Sequence, residues 1–277
     1  MTVAAQQAGT SVPAGVKPRR SFSLARHGTL LASLGILAGF LLVWEFLPPA
    51  LDVPKFIIPT VSDCLVELKR MWFQERLFSH TMSTAFYTVL GFAIGSALGA
   101  VMGYLLGMSA FWEKVLSPYI LALQIAPKVA FAPLFIMWFG YNAMPKLLVT
   151  VLIVFFPVMV NVLQAMRTVD RDLVNLARAY KLSRWGIFRK IEMPSTLPNL
   201  MAGLRIASTL AVIGVTVGEL VGGNTGLGFL ISYGGGQANA AMVFNAILFL
   251  TLIGIVLYTV LARIEEKILH YLPKAEH

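Results

Sequence analysis

Long apolar runs separated by short polar stretches set the layout of the chain. Runs at residues 28–47, 81–107, 115–139, 146–165, 199–221 and 242–262 are each long enough to cross a bilayer, because a helix rising 1.5 Å per residue needs about 20 apolar residues to traverse the hydrocarbon. They predict an all-α membrane protein with six transmembrane helices. After the first run come Pro48, Pro49, Pro54 and Pro59, and then the pattern changes. Val61, Leu65, Leu68 and Trp72 form a stripe at helical spacing, and Thr60 with Asp63 three residues on has the form of a capping box. Segment 48–80 is therefore expected to hold an amphipathic helix lying on the outer membrane surface.

The sharpest break in the apolar pattern is segment 166–198. Seven cations (Arg167, Arg171, Arg178, Lys181, Arg184, Arg189 and Lys190) stand there against three acids, Asp170, Asp172 and Glu192. Leu173, Leu176, Ala177 and Tyr180 recur at i, i+3, i+4 and i+7, which places them on one face of a short helix. Asp172 is placed to cap its start. Ser183 is an N-cap for a second short helix, with Leu182 and Ile187 flanking it as a hydrophobic staple. Met193-Pro194 is expected to end that helix, since the residue before a proline is driven out of the α region. Two helices joined by a tight turn, apolar on one side and basic on the other, make a knob suited to a groove on a soluble partner.

Composition narrows the class. At 57% hydrophobic and 13% charged residues over 277 positions, with a mean hydropathy of +0.76, the chain is too apolar for a soluble domain of this length. One cysteine, Cys64, allows no disulfide within the chain. The net charge of +9 is a matter of topology and not of nucleic-acid binding, because the cations collect in loops on one side. Tail 1–27, the 108–114 turn, loop 166–198 and tail 263–277 hold fifteen cations, and the opposite side holds five: Lys55, Lys69, Arg70, Arg76 and Lys146. Positively charged loops stay in the cytosol, so both termini and the knob are expected there, with tail 1–27 disordered. A secretory signal would have a shorter apolar core than residues 28–47 and a small-residue cleavage site after it.

Within the spans a few residues stand out. Gly91, Gly95, Gly99, Gly103 and Gly107 repeat every four positions in the second span. Such a ladder permits close helix approach, either as a sliding or dimer interface or as packing within one subunit. The third span is interrupted by Pro118, Pro127 and Pro133, with Lys128 near its middle. Broken backbone at membrane depth is tolerated where it is buried or lines a cavity. Lys128 has two readings: it borders a translocation path with Pro127 and Pro133 and favours anionic cargo, or it binds carbonyls freed by the prolines. Arg205 is read as an anchor near the inner end of the fifth span, Glu219 lies at the outer end, and segment 222–241 reads as an external glycine-rich loop. That loop lacks the Gly-Lys-Ser/Thr ending of a phosphate-binding loop. There is no HExxH, no Cys/His metal spacing and no Gly-x-Ser-x-Gly, and His27, His80, His270 and His277 are scattered near or beyond span ends. Nothing in this inventory points to an enzyme or to a bound cofactor or metal.

The charged loop resembles the cytoplasmic coupling loop of ABC importer permeases. In that family the pattern is Glu-Ala-Ala, a glycine four residues after the second alanine, and an isoleucine two residues before Leu-Pro. Asn175, Leu176 and Ala177 fall on the opening positions, Lys181 on the glycine, Ile191 on the isoleucine and Met193-Pro194 on Leu-Pro. Asn175 and Lys181 depart from the pattern. From about Pro59 onward, IAPKVAFAPLFIMWFG, GLRIAS and GELVGGNTGLGFLI are similar to permeases for nitrate, taurine, alkanesulfonates and thiamine or riboflavin precursors. The resemblance implies a type I importer permease fold and a homodimer or a heterodimer with a similar permease. It implies two cytosolic ATPase subunits carrying ATP and magnesium, and an external solute-binding protein. Leu176, Ala177, Tyr180 and Leu182 would supply docking area, with Arg178, Lys181 and Arg184 orienting the contact by charge. A nucleotide-independent channel or scaffold, or a secondary transporter, is the alternative; the few acids beside the spans and the lack of a visible inverted repeat speak against the last.

Overall fold

The computed structural model describes residues 22–270, with side chains from residue 31 onward. The expected tail 1–27 falls largely outside the described residues, as do residues 271–277. Every regular element described is helical: α1 (Phe22–Ala50), α2 (Val61–Phe73), α3 (Leu77–Gly107), α4 (Ala110–Ile125), α5 (Phe131–Phe139), α6 (Ala143–Arg167), α7 (Arg171–Ala179), α8 (Arg184–Ile187), α9 (Met193–Gly222), α10 (Leu227–Gly236) and α11 (Ala240–Ile268). Among the described residues five helices are long and apolar enough to cross a membrane, and a sixth span results if the bent pair α4–α5 is taken as one.

Helix α6 is the axis of the bundle, because small residues let its neighbours approach closely on two sides. The ladder of α3 lies along it: a Cβ on Gly95 would stand 2.9 Å from the Val151 carbonyl oxygen, one on Gly99 2.6 Å from that of Phe155, and one on Gly103 2.7 Å from that of Met159. Gly91 abuts Thr150 and Gly107 abuts Met166 in the same way. All five glycines are thus spent on packing within the subunit. A second set on α9 meets another side of α6, with Gly203 on Asn161, Gly214 on Thr150 and Gly218 on Lys146. Between the glycines, Val154, Val158 and Val162 are fully buried with Ala207 and Ala211. Contact at backbone distance favours dispersion, which drives helix association where the surroundings are already apolar.

The capping box at Thr60–Asp63 is present. Lys55 donates to Asp63 at 2.7 Å, and that hydrogen bond, with those from Thr60, holds the carboxyl below the usual aspartate range. Helix α2 packs Leu68 and Met71 into a core with Leu227, Leu230 and Met242, and the Asn245 side chain donates to the Cys64 carbonyl at 2.8 Å.

Four expectations are corrected. Met193-Pro194 does not end the second loop helix: α8 continues through a π-turn, Phe188–Glu192, into α9, so one helical run extends from Arg184 to Gly222. A π-turn shifts the hydrogen-bonding register by one residue, which lets the run pass Pro194 near the start of α9. Ser195 Oγ donates to the Ile191 carbonyl one turn back at 2.7 Å. Loop 166–198 and span 199–221 therefore share one continuous rod. Asp170, not Asp172, caps α7, accepting from the Asp172 N–H at 2.8 Å. The glycine-rich loop 222–241 contains a helix, α10, with Gly228 and Gly234 buried. Finally, the turn before the third span is shorter than expected, since α4 already begins at Ala110.

Candidate functional site

At the end of the bundle where α3 finishes and α6 leads out, α7 and α8 form the knob. Tyr180 caps α7, and the next residue, Lys181, takes the left-handed conformation with φ 56°. Lys181 N–H donates to the Arg178 carbonyl at 2.9 Å and Leu182 N–H to that of Ala177 at 3.0 Å, the paired bonds of a Schellman cap. A left-handed residue is easiest for glycine, which explains the physical use of a glycine at this position and shows that lysine here adopts the same turn. Ser183 caps α8 by accepting from Gly186 N–H at 3.1 Å.

The side chains divide differently from the helical wheel. Ala177, at 6% exposure, and Ile187 are buried beneath the knob, whereas Leu173, Leu176, Tyr180 at 75% and Trp185 at 68% stand in the open. Leu182, Ile191 and Pro194 are half-buried; Asn175, Arg178, Lys181, Ser183 and Arg184 are exposed. The exposed face of the knob thus includes Trp185 and leaves out Ala177. Trp185 belongs to a file of rings running into the bundle: it lies tilted against Phe188 at 5.3 Å, and Phe188 meets Tyr104 of α3 edge-on at 5.1 Å. The Tyr104 hydroxyl pairs with that of Thr196 in α9 at 2.8 Å. The knob surface is therefore joined by packed groups to two long helices.

The third span bends by 73° between α4 and α5. Pro127 lies at the break, and Lys128 opens a single 3-10 turn, Lys128–Ala130. Lys128 Nζ donates to the Gln124 carbonyl at 2.6 Å and lies 4.9 Å from the Phe156 ring centroid. It occupies carbonyls freed at the break, the second of its two readings, yet remains half-exposed beside an exposed Pro127. Pro133 sits in the first turn of α5, where a missing N–H costs little. No residue of α4 is buried within the subunit.

The opposite end of the bundle holds a site that the spans read one at a time did not disclose. Glu219, expected at a membrane boundary, is wholly buried, and Lys146, expected at the external end of the fourth span, is buried beside it. Lys146 Nζ donates to Glu219 at 3.2 Å and to Ser83 Oγ at 3.3 Å, and lies 4.2 Å from the Tyr87 ring centroid. The second carboxylate oxygen accepts from Thr84 Oγ1 at 2.8 Å and from Gly228 N–H at 3.0 Å. Thr84 Oγ1 in turn accepts from Leu227 N–H at 2.8 Å. His80, read as a surface residue, is half-buried, accepts from Gly226 N–H at 2.9 Å and stacks on Phe229 at 5.7 Å. One carboxylate thus ties α3, α6, α9 and the start of α10 together. The glycines around it follow: a Cβ on Gly226, which has φ +110°, would collide with the Glu219 carboxylate. A faint signal was present in the sequence, since Glu219 lies among Gly218, Gly222, Gly223, Gly226 and Gly228. Arg205, expected as an anchor, pairs with Glu265 across α9 and α11.

Residues 95–270 match the model of a family described as "Binding-protein-dependent transport system inner membrane component". The riboflavin transport system permease protein RibX of Chloroflexus aurantiacus is 37% identical over 229 residues, covering 83% of this chain and 85% of that protein. The formylaminopyrimidine transport permease protein ThiX of Halalkalibacterium halodurans is 33% identical over 239 residues, 84% of this chain and 93% of its own. A putative aliphatic sulfonates transport permease protein SsuC, from Bacillus subtilis, is 29% identical across 93% of this chain and 96% of its length. Among solved structures, an inward-facing MetNI methionine ABC transporter chain superposes with a TM-score of 0.62 at 19% identity, covering 72% of this chain and 98% of that one. That likeness speaks for the fold.

Proposed function

The chain belongs to the family of inner-membrane components of binding-protein-dependent transport systems, and from that premise we propose that its knob is the docking surface for a separate, ATP-hydrolysing subunit. The observation that carries this reading is the exposure of Leu173, Leu176, Tyr180 and Trp185 together. Apolar side chains left open on a structured loop, ringed by Arg178, Lys181 and Arg184, have the makeup of a protein interface with an apolar centre and a charged rim. Positive-inside charge bias supports a cytosolic knob and cytosolic termini. A continuous rod from α8 into α9 supports its use as a lever: a push on the knob displaces a membrane helix without a hinge between them.

The translocation path would run beside the break at Pro127–Lys128. Irregular backbone at membrane depth has to be covered by protein or border water, and here it lies on the outside of the subunit. A second copy of this chain, or a similar permease, placed over that face would enclose both breaks in one path. Two ATPases with ATP and magnesium would grip the two knobs, and an external binding protein would deliver solute at the opposite end. Lys128 supports a small anionic cargo, in keeping with relatives named for sulfonates and bicarbonate; others are named for riboflavin and formylaminopyrimidine.

Trp185→Ala and Tyr180→Ala test the docking surface, since both side chains project from the knob and their loss leaves its interior intact. Aromatic anchors at interface centres contribute about 2 kcal/mol each, so each variant should bind its ATPase about 30-fold more weakly with an unchanged melting temperature. Full ATPase association by the double variant would remove the knob from consideration. Ala177→Arg is the poorer probe because that side chain points inward.

A further inference from the structure

Among the described residues, the outward face of α2 is left uncovered. At about 3.6 residues per turn, Leu65, Val66, Lys69, Trp72 and Phe73 fall into one arc of about 120°. The opposite side of the helix, with Cys64, Leu68 and Met71, is committed to the core. The four apolar members of the arc are 52% to 75% exposed. Helix α2 runs within a few residues into Leu77, where the membrane-spanning α3 begins, so covalent continuity puts this face at the membrane boundary, at the end of the bundle away from the knob. Trp72 lies 6.4 Å from Phe78, already in α3.

Charge is sorted across this element. Its acids turn inward or are occupied: Glu67 accepts from Asn239 and Arg70, Asp63 from Lys55 and Thr60, and Glu45 of α1 from Ser62. Glu75 is half-buried at the C-terminal end. Lys69 and Arg76 are exposed and make no ion pair among the described residues. Arg76 is also held at φ 49° as the residue capping α3, an arrangement that costs energy for a non-glycine residue and so marks a place worth a functional reading.

We propose that this face of α2 is a binding surface for anionic phospholipid, with Trp72, Phe73, Leu65 and Val66 set into the acyl boundary and Lys69 and Arg76 against the phosphates. Interfacial helices take this form, with an apolar face in the boundary layer and basic side chains at headgroup level, and tryptophan is favoured at that depth. Zwitterionic lipid would satisfy the apolar arc equally well; the outward cations distinguish an anionic surface. An acidic face on a soluble partner would meet the same cations but would have to cover the apolar arc as well.

The full chain is reconstituted in vesicles of phosphatidylcholine mixed with phosphatidylglycerol, and the fluorescence lost in Trp72→Phe identifies the Trp72 signal. Brominated lipid should quench that signal and aqueous acrylamide should not. Brominated phosphatidylglycerol should quench it with about 30-fold higher apparent affinity than brominated phosphatidylcholine, a preference that fades with added salt. The Lys69→Gln/Arg76→Gln variant should keep the lipid quenching and lose the preference. Quenching by acrylamide alone would put the face in water, and protection from both quenchers would put it under protein; either overturns the proposal. Equal quenching by the two brominated lipids would overturn the anionic assignment. ATPase docking at the knob is unaffected in every case.

Discussion

The two ends of the bundle use charged residues in opposite ways. At one end Lys146 and Glu219 are taken fully out of solvent and surrounded by Ser83, Thr84, Tyr87 and Gly228. At the other, Arg178, Lys181 and Arg184 project from a knob whose apolar residues are also left open. A buried carboxylate is tolerable only where its lone pairs and its charge are both answered, and at the first end they are answered from within the subunit. The second leaves both its cations and its apolar side chains in the open. Charge is thus enclosed at one end of the structure and displayed at the other, where the proposed ATPase would dock, and the glycine-packed α6 joins the two.

The contrast is broken most severely by removing half of the buried pair. Lys146→Met strands the Glu219 carboxylate and should cost about 3–5 kcal/mol, read as a large drop in melting temperature in detergent, with α10 released first. Lys146→Met/Glu219→Leu should recover much of that loss, because two apolar groups leave no unpaired charge; a double variant as unstable as the single would show that the loss comes from the broken ties to Ser83, Thr84 and Gly228 and not from a stranded charge. A smaller effect is expected midway. Gly99→Val pushes a side chain against the Phe155 carbonyl, only 2.6 Å from a Cβ, and overpacking of this kind costs about 1–3 kcal/mol. Its signature is lost stability with ATPase affinity at the knob retained once folded. The smallest effect is a gain. Lys181→Gly removes the steric cost of φ 56° and should stabilise the knob turn by about 1 kcal/mol, seen as slower amide exchange at Leu182.

Where local physics decides the outcome, the sequence was a sound guide. The capping box at Thr60–Asp63 and the cap at Ser183 depend on side chains three residues from the amides they satisfy, and both are where spacing put them. Pro194 was misjudged because a proline's effect depends on the register of the turn before it, and the π-turn at Phe188–Glu192 has no signature in residue type. Ala177 and Tyr180 share a helical face on the wheel, yet the body of the bundle covers only the first. The glycine ladder revealed that something approaches α3 closely without revealing what; the partner, α6, is a fact of tertiary packing.

By itself the sequence determined an all-helical membrane chain, its long apolar helices, the amphipathic α2 and a basic helical loop, because hydrophobic period, run length and capping act over a few turns of one helix. Only the tertiary structure decided that Lys146 and Glu219 meet, that Trp185 faces out while Ala177 faces in, and that α8 flows into α9. Those outcomes depend on which helices lie side by side, and residues 73 positions apart, like the buried pair, carry no local mark of each other.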